Sequence, residues 1–290
     1  MPQKRTRTAT PQGSTEPSRT VEIDGVRLTL VDPVRHDCTW IDYNDYLLQM
    51  RAAWFRASHS ELTLTPRLVG APGLGKTTLA CAAARAAGHD IYIIGATMDT
   101  RPEDLVITPV LAADGRVEYR ASALVTAMIR GGVAVIDEAN RMPERSWASL
   151  APLMDDRRYV ESAAAAVRIS AHPDFRLCVT MNSDSSVYAL PGYVQSRLKP
   201  RIEVVAPPWH VQEEIVRARA SGVTSTLLDD ALFLLKQRID EGRVDSTRDM
   251  LSFVRYAQNL CPADARRMRG AVRGALMQAA AQVLAGGEAG

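Results

Sequence analysis

The chain has 290 residues, 46% hydrophobic and 23% charged, enough for one large or two modest domains with a substantial core. Its formal net charge of +2 is concentrated at the start: Lys4, Arg5, Arg7 and Arg19 face only Glu16 in the first twenty residues. The rest is near neutral, without the global charge expected of a nucleic-acid or anionic-membrane binder. No apolar run approaches a membrane span and the first twenty residues lack an apolar signal core, so a soluble, cytoplasmic chain without membrane insertion is expected.

In chain order, residues 1–20 are rich in Thr, Pro, Ser, Gln and Arg and are expected to form a disordered basic tail. From Val21 to Val31 apolar residues alternate around Asp24-Gly25, the pattern of a small hairpin. Between Ile41 and Ala57 they fall at Tyr43, Tyr46, Leu47, Met50, Trp54 and Ala57, a helical stripe read as core packing rather than a ligand box. The hairpin and helix, residues 21–64, are expected to pack on the core that follows.

Five short apolar strands then alternate with helical segments: Leu68–Val69, Ile91–Ile94, Val133–Ile136, Leu177–Val179 and Ile202–Val205. Several are apolar on both faces, which suits a parallel sheet between helices. Residues 65–208 are therefore expected to form an α/β domain. Past Pro207-Pro208 the pattern is helical, with stripes at Leu228, Leu232, Leu235 and Ile239, at Leu251, Val254 and Leu260, and at Met268, Val272, Leu276, Ala279 and Val283. Ser246-Thr247-Arg248-Asp249 reads as a capping box with Asp in place of Glu. Residues 209–290 are thus expected to be a smaller all-helical lid domain.

Residues 70–77, Gly-Ala-Pro-Gly-Leu-Gly-Lys-Thr, fit the phosphate loop G-x-x-x-x-G-K-[ST]. Glycines let backbone N–H groups turn inward onto phosphate oxygens, and the following helix presents its positive end to an anion. Gly70, Ala71, Pro72, Gly73, Leu74, Gly75, Lys76, Thr77 and Thr78 are the expected nucleotide contacts. Lys76 would reach the outer phosphates, and the Thr77 hydroxyl would hold magnesium. About sixty residues on, Val133–Ile136 runs into Asp137-Glu138. Asp137 is expected in the magnesium shell and Glu138 as the base that polarises the attacking water. At the tip of the next strand Asn182 offers both a donor and an acceptor to a γ-phosphate and a water. The four cysteines, Cys38, Cys81, Cys178 and Cys261, form no C-x-x-C pair and read as reduced thiols, and the five histidines make no metal-ligand spacing.

These stretches, with Val-Ile-Asp-Glu-Ala-Asn-Arg at 135–141, Ala-His-Pro-Asp-Phe-Arg at 171–176 and Val-Thr-Met-Asn at 179–182, resemble the AAA+ superfamily in order and spacing over roughly residues 60–260. Within it they are similar to the MoxR and dynein-related group. The resemblance implies a P-loop NTPase core with a five-stranded parallel sheet and a helical lid, ATP and Mg2+ as ligands, and a homo-oligomeric ring, with six subunits the family expectation. It also implies an insertion at 97–128 and a hairpin at 155–172. Leu190-Pro191 through Ser196-Arg197-Leu198 is similar to the family's arginine-finger stretch, which implies that Arg197 acts in the neighbouring subunit's site. Leu198 replaces the usual Phe, and nearby Arg201 is the competing candidate. Arg248 matches the second sensor, and Arg141 is a further intersubunit candidate.

The leading expectation is a MoxR-like ATPase that remodels or matures a partner protein, typically one with a von Willebrand A domain. One alternative is a nucleic-acid-associated motor of a defence or restriction system, in whose favour stand the basic tail and Arg266, Arg269 and Arg273 on one helical face. Another is a nucleotide-gated assembly scaffold with little turnover.

Overall fold

The computed structural model describes residues 19–35, 39–58, 61–183, 190–243, 246–261 and 269–284. The expected disorder of residues 1–18, and the readings that involve Cys38, Arg266 and Met268, lie outside the described residues.

The chain opens with strands β1 (Thr20–Ile23) and β2 (Val26–Thr29), joined at Asp24-Gly25 with φ of 49° and 78°. Two successive positive φ values make the tight turn that matches strand twist, and Gly tolerates the second without strain. β1 begins at Thr20, one residue inside the segment read as tail. Helix α1 covers only Tyr46–Trp54. It starts later than its apolar stripe because the Asp42 carboxylate accepts from the Tyr46 and Leu47 amides at 3.0 and 3.3 Å, holding the preceding turn outside the helix.

β3 (Arg67–Gly70), α2 (Lys76–Ala86) and β4 (Ile91–Gly95) follow. The inserted segment is α3 (Pro102–Leu105) with a hairpin of β5 (Ile107–Leu111) and β6 (Val117–Ala121). α4 (Ala123–Arg130), β7 (Val133–Asp137), α5 (Glu144–Leu150) and the hairpin of β8 (Tyr159–Ser162) and β9 (Val167–Ser170) lead to β10 (Arg176–Asn182). α6 (Gly192–Arg197) and β11 (Arg201–Glu203) complete this part.

All five expected strands enter one parallel sheet in the order β11-β3-β10-β7-β4. Its middle strand β10 is buried along its whole length, including Arg176, Thr180 and Asn182 beside the apolar Leu177–Val179. One face packs against α4 and α5 through Leu124, Met128, Trp147 and Phe175. The other packs against α1 and α2 through Tyr46, Met50, Trp54 and Leu79. α2 turns small residues (Ala80, Cys81, Ala83, Ala84) inward, so it can lie close on the sheet. Each fully buried leucine, such as Leu68 and Leu79, contributes about 2 kcal/mol.

A second sheet has the order β1-β2-β6-β5, with β2 parallel to β6. The N-terminal hairpin thus pairs with the inserted hairpin, a joint that the sequence pattern did not anticipate.

After Pro208 the described chain is helical: α7 (Trp209–Arg219), α8 (Ser225–Asp240), α9 (Thr247–Leu260) and α10 (Arg269–Val283). They form their own core around Leu227, Leu232, Leu235, Phe253, Val254 and Leu276. On α9 the buried line is Met250, Phe253, Val254 and Ala257, with Leu251 partly buried against the same core and bordering the cavity beside the loop. Ser246 and Asp249 form the capping box at its start. The fold is an α/β body with a five-stranded parallel sheet followed by C-terminal helices. No helix among the described residues is long and apolar enough to cross a membrane.

Candidate functional site: a phosphate loop at the sheet's carboxyl edge

β3, β10 and β7 are neighbours, and their carboxyl ends place Gly70, Asn182 and Asp137 side by side. Gly70 pairs directly with Asn182 across the β3–β10 ladder. The loop leaving β3 curls back to start α2 at Lys76, with Gly73 and Gly75 at φ of 79° and 82°. These are left-handed conformations that a side chain would strain. A Cβ on Gly73 would lie 2.6 Å from Ser246 Oγ, so this glycine also lets the amino end of α9 close onto the loop.

The Lys76 ammonium, 7% exposed, donates to Gly70 O at 2.9 Å, Ala71 O at 2.8 Å and Asn182 Oδ1 at 2.9 Å. A buried charge is tolerated only with such partners. Thr77 Oγ1 donates to Asp137 Oδ1 at 2.6 Å, and Thr180 Oγ1 donates to the same carboxylate oxygen. Glu138 adopts φ 53°, a strained conformation for a residue with a Cβ, and its amide donates to Thr180 Oγ1 at 3.1 Å. Its carboxylate pairs with Arg141 at 2.8 Å and accepts from Asn182 Nδ2 at 3.5 Å. Asn140 Nδ2 donates to Asn182 O at 2.9 Å and fixes the strand tip. Lys76, Thr77, Asp137, Glu138 and Asn182 are therefore one connected cluster.

Beside the loop is a cavity of about 230 Å³, lined by Trp40, Tyr43, Leu74, Arg219, Arg248 and Arg255 among others. Trp40 lies against Gly75, whose added Cβ would meet the ring at 3.2 Å. Tyr43 donates to Val205 O at 2.8 Å, and burial, with Tyr46 beside it, pushes its phenol above the usual range. The aromatic stretch packs on the core as expected, and two of its residues also border the cavity. Tyr46 and Trp54 are core, while Trp40 and Tyr43 pack against that core and line the cavity as well.

Arg248 joins this cavity from the start of α9. Arg197 is elsewhere: it ends α6, donates to Tyr193 O at 2.9 Å and stands 3.5 Å from Asp155. Arg201 is exposed and 4.0 Å from Glu203. Arg269 and Arg273 lie exposed on α10. Among the described residues no group of His, Cys, Asp and Glu has the arrangement of a metal centre, and Cys81, Cys178 and Cys261 are buried thiols.

Residues 67–199 match the family profile described as AAA domain (dynein-related subfamily). The denitrification regulatory protein NirQ of Pseudomonas aeruginosa is 30% identical over 195 residues, covering 62% of this chain and 71% of NirQ. The chain belongs to the dynein-related AAA family. Protein MoxR of Paracoccus denitrificans, 30% identical over 142 residues, places this AAA+ ATPase in the MoxR group, although the match covers only 48% of the chain and 41% of MoxR. The Thermotoga maritima RuvB Holliday junction branch migration motor shares the fold, with a TM-score of 0.55 at 19% identity over 82% of this chain and 70% of that one. Membership of the family implies nucleotide binding, and AAA+ proteins are typically oligomeric.

Proposed function

We propose that this protein hydrolyses ATP in a ring of identical subunits and uses the resulting motion to remodel a partner protein. The observation that carries this reading is the single network joining Lys76, Asn182, Glu138, Asp137 and Thr77. A binding-only scaffold has no need of Glu138 and Asn182 beside the phosphate loop.

The loop amides of residues 71–78 would wrap the phosphates, and Lys76 would exchange its carbonyl partners for phosphate oxygens. Asn182 stands between Lys76 and Glu138, so it can orient a water against the terminal phosphate with its amide. Glu138 would then take a proton from that water. The Arg141 pair at 2.8 Å would keep the glutamate carboxylate positioned until then. Thr77 and Asp137 supply the hard oxygen donors that suit magnesium. Magnesium, when bound, neutralises charge on the transferred phosphoryl group. The base and ribose would lie in the cavity against Trp40 and Tyr43, with Arg248 closing it from the lid. Residues 209–290 would be that lid, and 65–208 the nucleotide-binding domain.

Arg197 is directed to Asp155 and away from its own subunit's cluster, which supports a role in a neighbour's site. There it would stabilise charge on the transferred group. An active centre divided between copies couples hydrolysis to their relative rotation. Relatedness to NirQ and MoxR favours a protein client, one with a von Willebrand A domain being the type to seek first.

The test compares phosphate release by the wild type and Glu138→Gln, with co-purification of the ATP-loaded variant. Turnover lost by about 10²–10⁴-fold with ATP binding kept, together with a retained protein client, is the expected result. Equal turnover by the two would refute the proposal.

A further inference from the structure

At the opposite end of the sheet, three arginines from separate segments meet. Arg56 follows α1, Arg158 immediately precedes β8, and Arg176 opens β10. Arg56 donates to Pro173 O at 2.8 Å and pairs with Asp174 at 2.7 Å. Arg158 donates to Phe175 O at 3.1 Å and stacks 5.4 Å from the centre of its ring. Arg176 donates to Pro173 O and Phe175 O, both at 3.2 Å. The three guanidiniums share the 173–175 turn, and Asp174 is the one carboxylate within ion-pair distance of them among the described residues.

These charges are withdrawn from water: Arg176 is 7% exposed and the Arg56 side chain 12%. Charges so placed are normally balanced. Burial and the neighbouring Arg56 hold the Arg176 guanidinium down to about 10, and Arg158 is lowered for the same reasons. The turn carbonyls account for only some of the N–H groups of the three guanidiniums. His89, held below its usual range by burial and by Arg176, adds no compensating charge.

We infer that Arg56, Arg158 and Arg176 form a binding site for a phosphate dianion, remote from the phosphate loop. Two guanidiniums in excess of Asp174 match the two charges of the dianion, and planar forks converging from three segments suit a tetrahedral oxyanion. The six steps from Arg176 to Asn182 along β10 span about 20 Å, so the site and the nucleotide cleft lie at opposite ends of the same strand. A phosphate bound here would tie α1, the β8–β9 hairpin and β10 together, whether it arrives free or as the terminal phosphate of a larger molecule.

The test uses the full chain carrying Lys76→Ala, which disables the phosphate loop, and titrates inorganic phosphate at constant ionic strength by calorimetry and thermal unfolding. The expected result is saturable stabilisation of Lys76→Ala that chloride does not reproduce. Adding Arg158→Gln should weaken it about tenfold. Arg56→Gln is the second probe, in case Arg158→Gln disturbs the hairpin. A parallel arm with a 5′-phosphorylated mononucleotide, compared with its nucleoside, distinguishes an attached from a free phosphate. Absence of saturation, equal response with and without Arg158→Gln and Arg56→Gln, or binding only to a long oligonucleotide would each overturn the site.

Discussion

Gly73 of the phosphate loop and Ser246 at the start of α9 are packed so closely that no side chain fits between them. Ser246 caps α9 by accepting from the Asp249 amide at 3.2 Å, and Asp249 reciprocates to the Ser246 amide at 3.3 Å. The loop that would hold phosphate therefore touches a capped helix end in the C-terminal helices. A change in the loop is passed directly to α9 and to Arg248 on it.

Gly73→Ala tests that contact. The new Cβ would meet Ser246 Oγ at 2.6 Å while the backbone stays at φ 79°, so either the loop or α9 must shift. Loss of about 1–2 kcal/mol of stability is expected, with weaker ATP binding. Chemical unfolding and nucleotide titration of the variant would show it. Wild-type values for both would mean that the loop and α9 are not in contact in solution.

Lys76→Ala removes the ammonium shared by Gly70 O, Ala71 O and Asn182. Affinity for ATP should fall about a hundredfold, the worth of one or two charge-assisted hydrogen bonds to phosphate. Binding of a fluorescent ATP analogue measures it. Unchanged affinity would remove Lys76 from the site.

The phosphate loop, Asp137-Glu138 and the five strands were legible because each is a local signal. A glycine spacing or an unbroken apolar run such as Val133–Ile136 needs no distant partner to be read. The β2–β6 pairing was not legible, because Leu28 meets Tyr119 only through the tertiary fold. Trp40 and Tyr43 were hidden for a different reason. Tyr43 shares the helical phase of Tyr46 and Met50, and only the Asp42 cap reveals that it precedes the helix. Helix α7 brings Ile215 and Arg219 to the same cavity from a stretch in which no stripe stood out.

Arg197→Ala should leave ATP binding by the isolated subunit unchanged, since Arg197 contacts Tyr193 O and Asp155 rather than Lys76 or Asp137. Turnover at concentrations that favour assembly should fall about 10³-fold if the arginine completes a neighbour's site. Phosphate release measured against protein concentration decides it. Full activity of Arg197→Ala, with loss on Arg201→Ala, would transfer the role to Arg201.

Acid should weaken the fold through His89. Burial lowers its affinity for a proton, Arg176 lowers it further, and the opposing effects of Asp174 and the Gly131 backbone are smaller. The folded chain then binds fewer protons here than the unfolded chain, whose histidines titrate near about 6.5. The contribution of His89 is complete above that value and is lost as pH falls through and below it. The slope from this one group cannot exceed one proton, about 1.4 kcal/mol per pH unit. Urea unfolding at about pH 7.5 and pH 5.5 should give a lower midpoint in acid, and His89→Gln should reduce that difference. An identical pH dependence in the variant would show that His89 keeps its ordinary proton affinity in the fold.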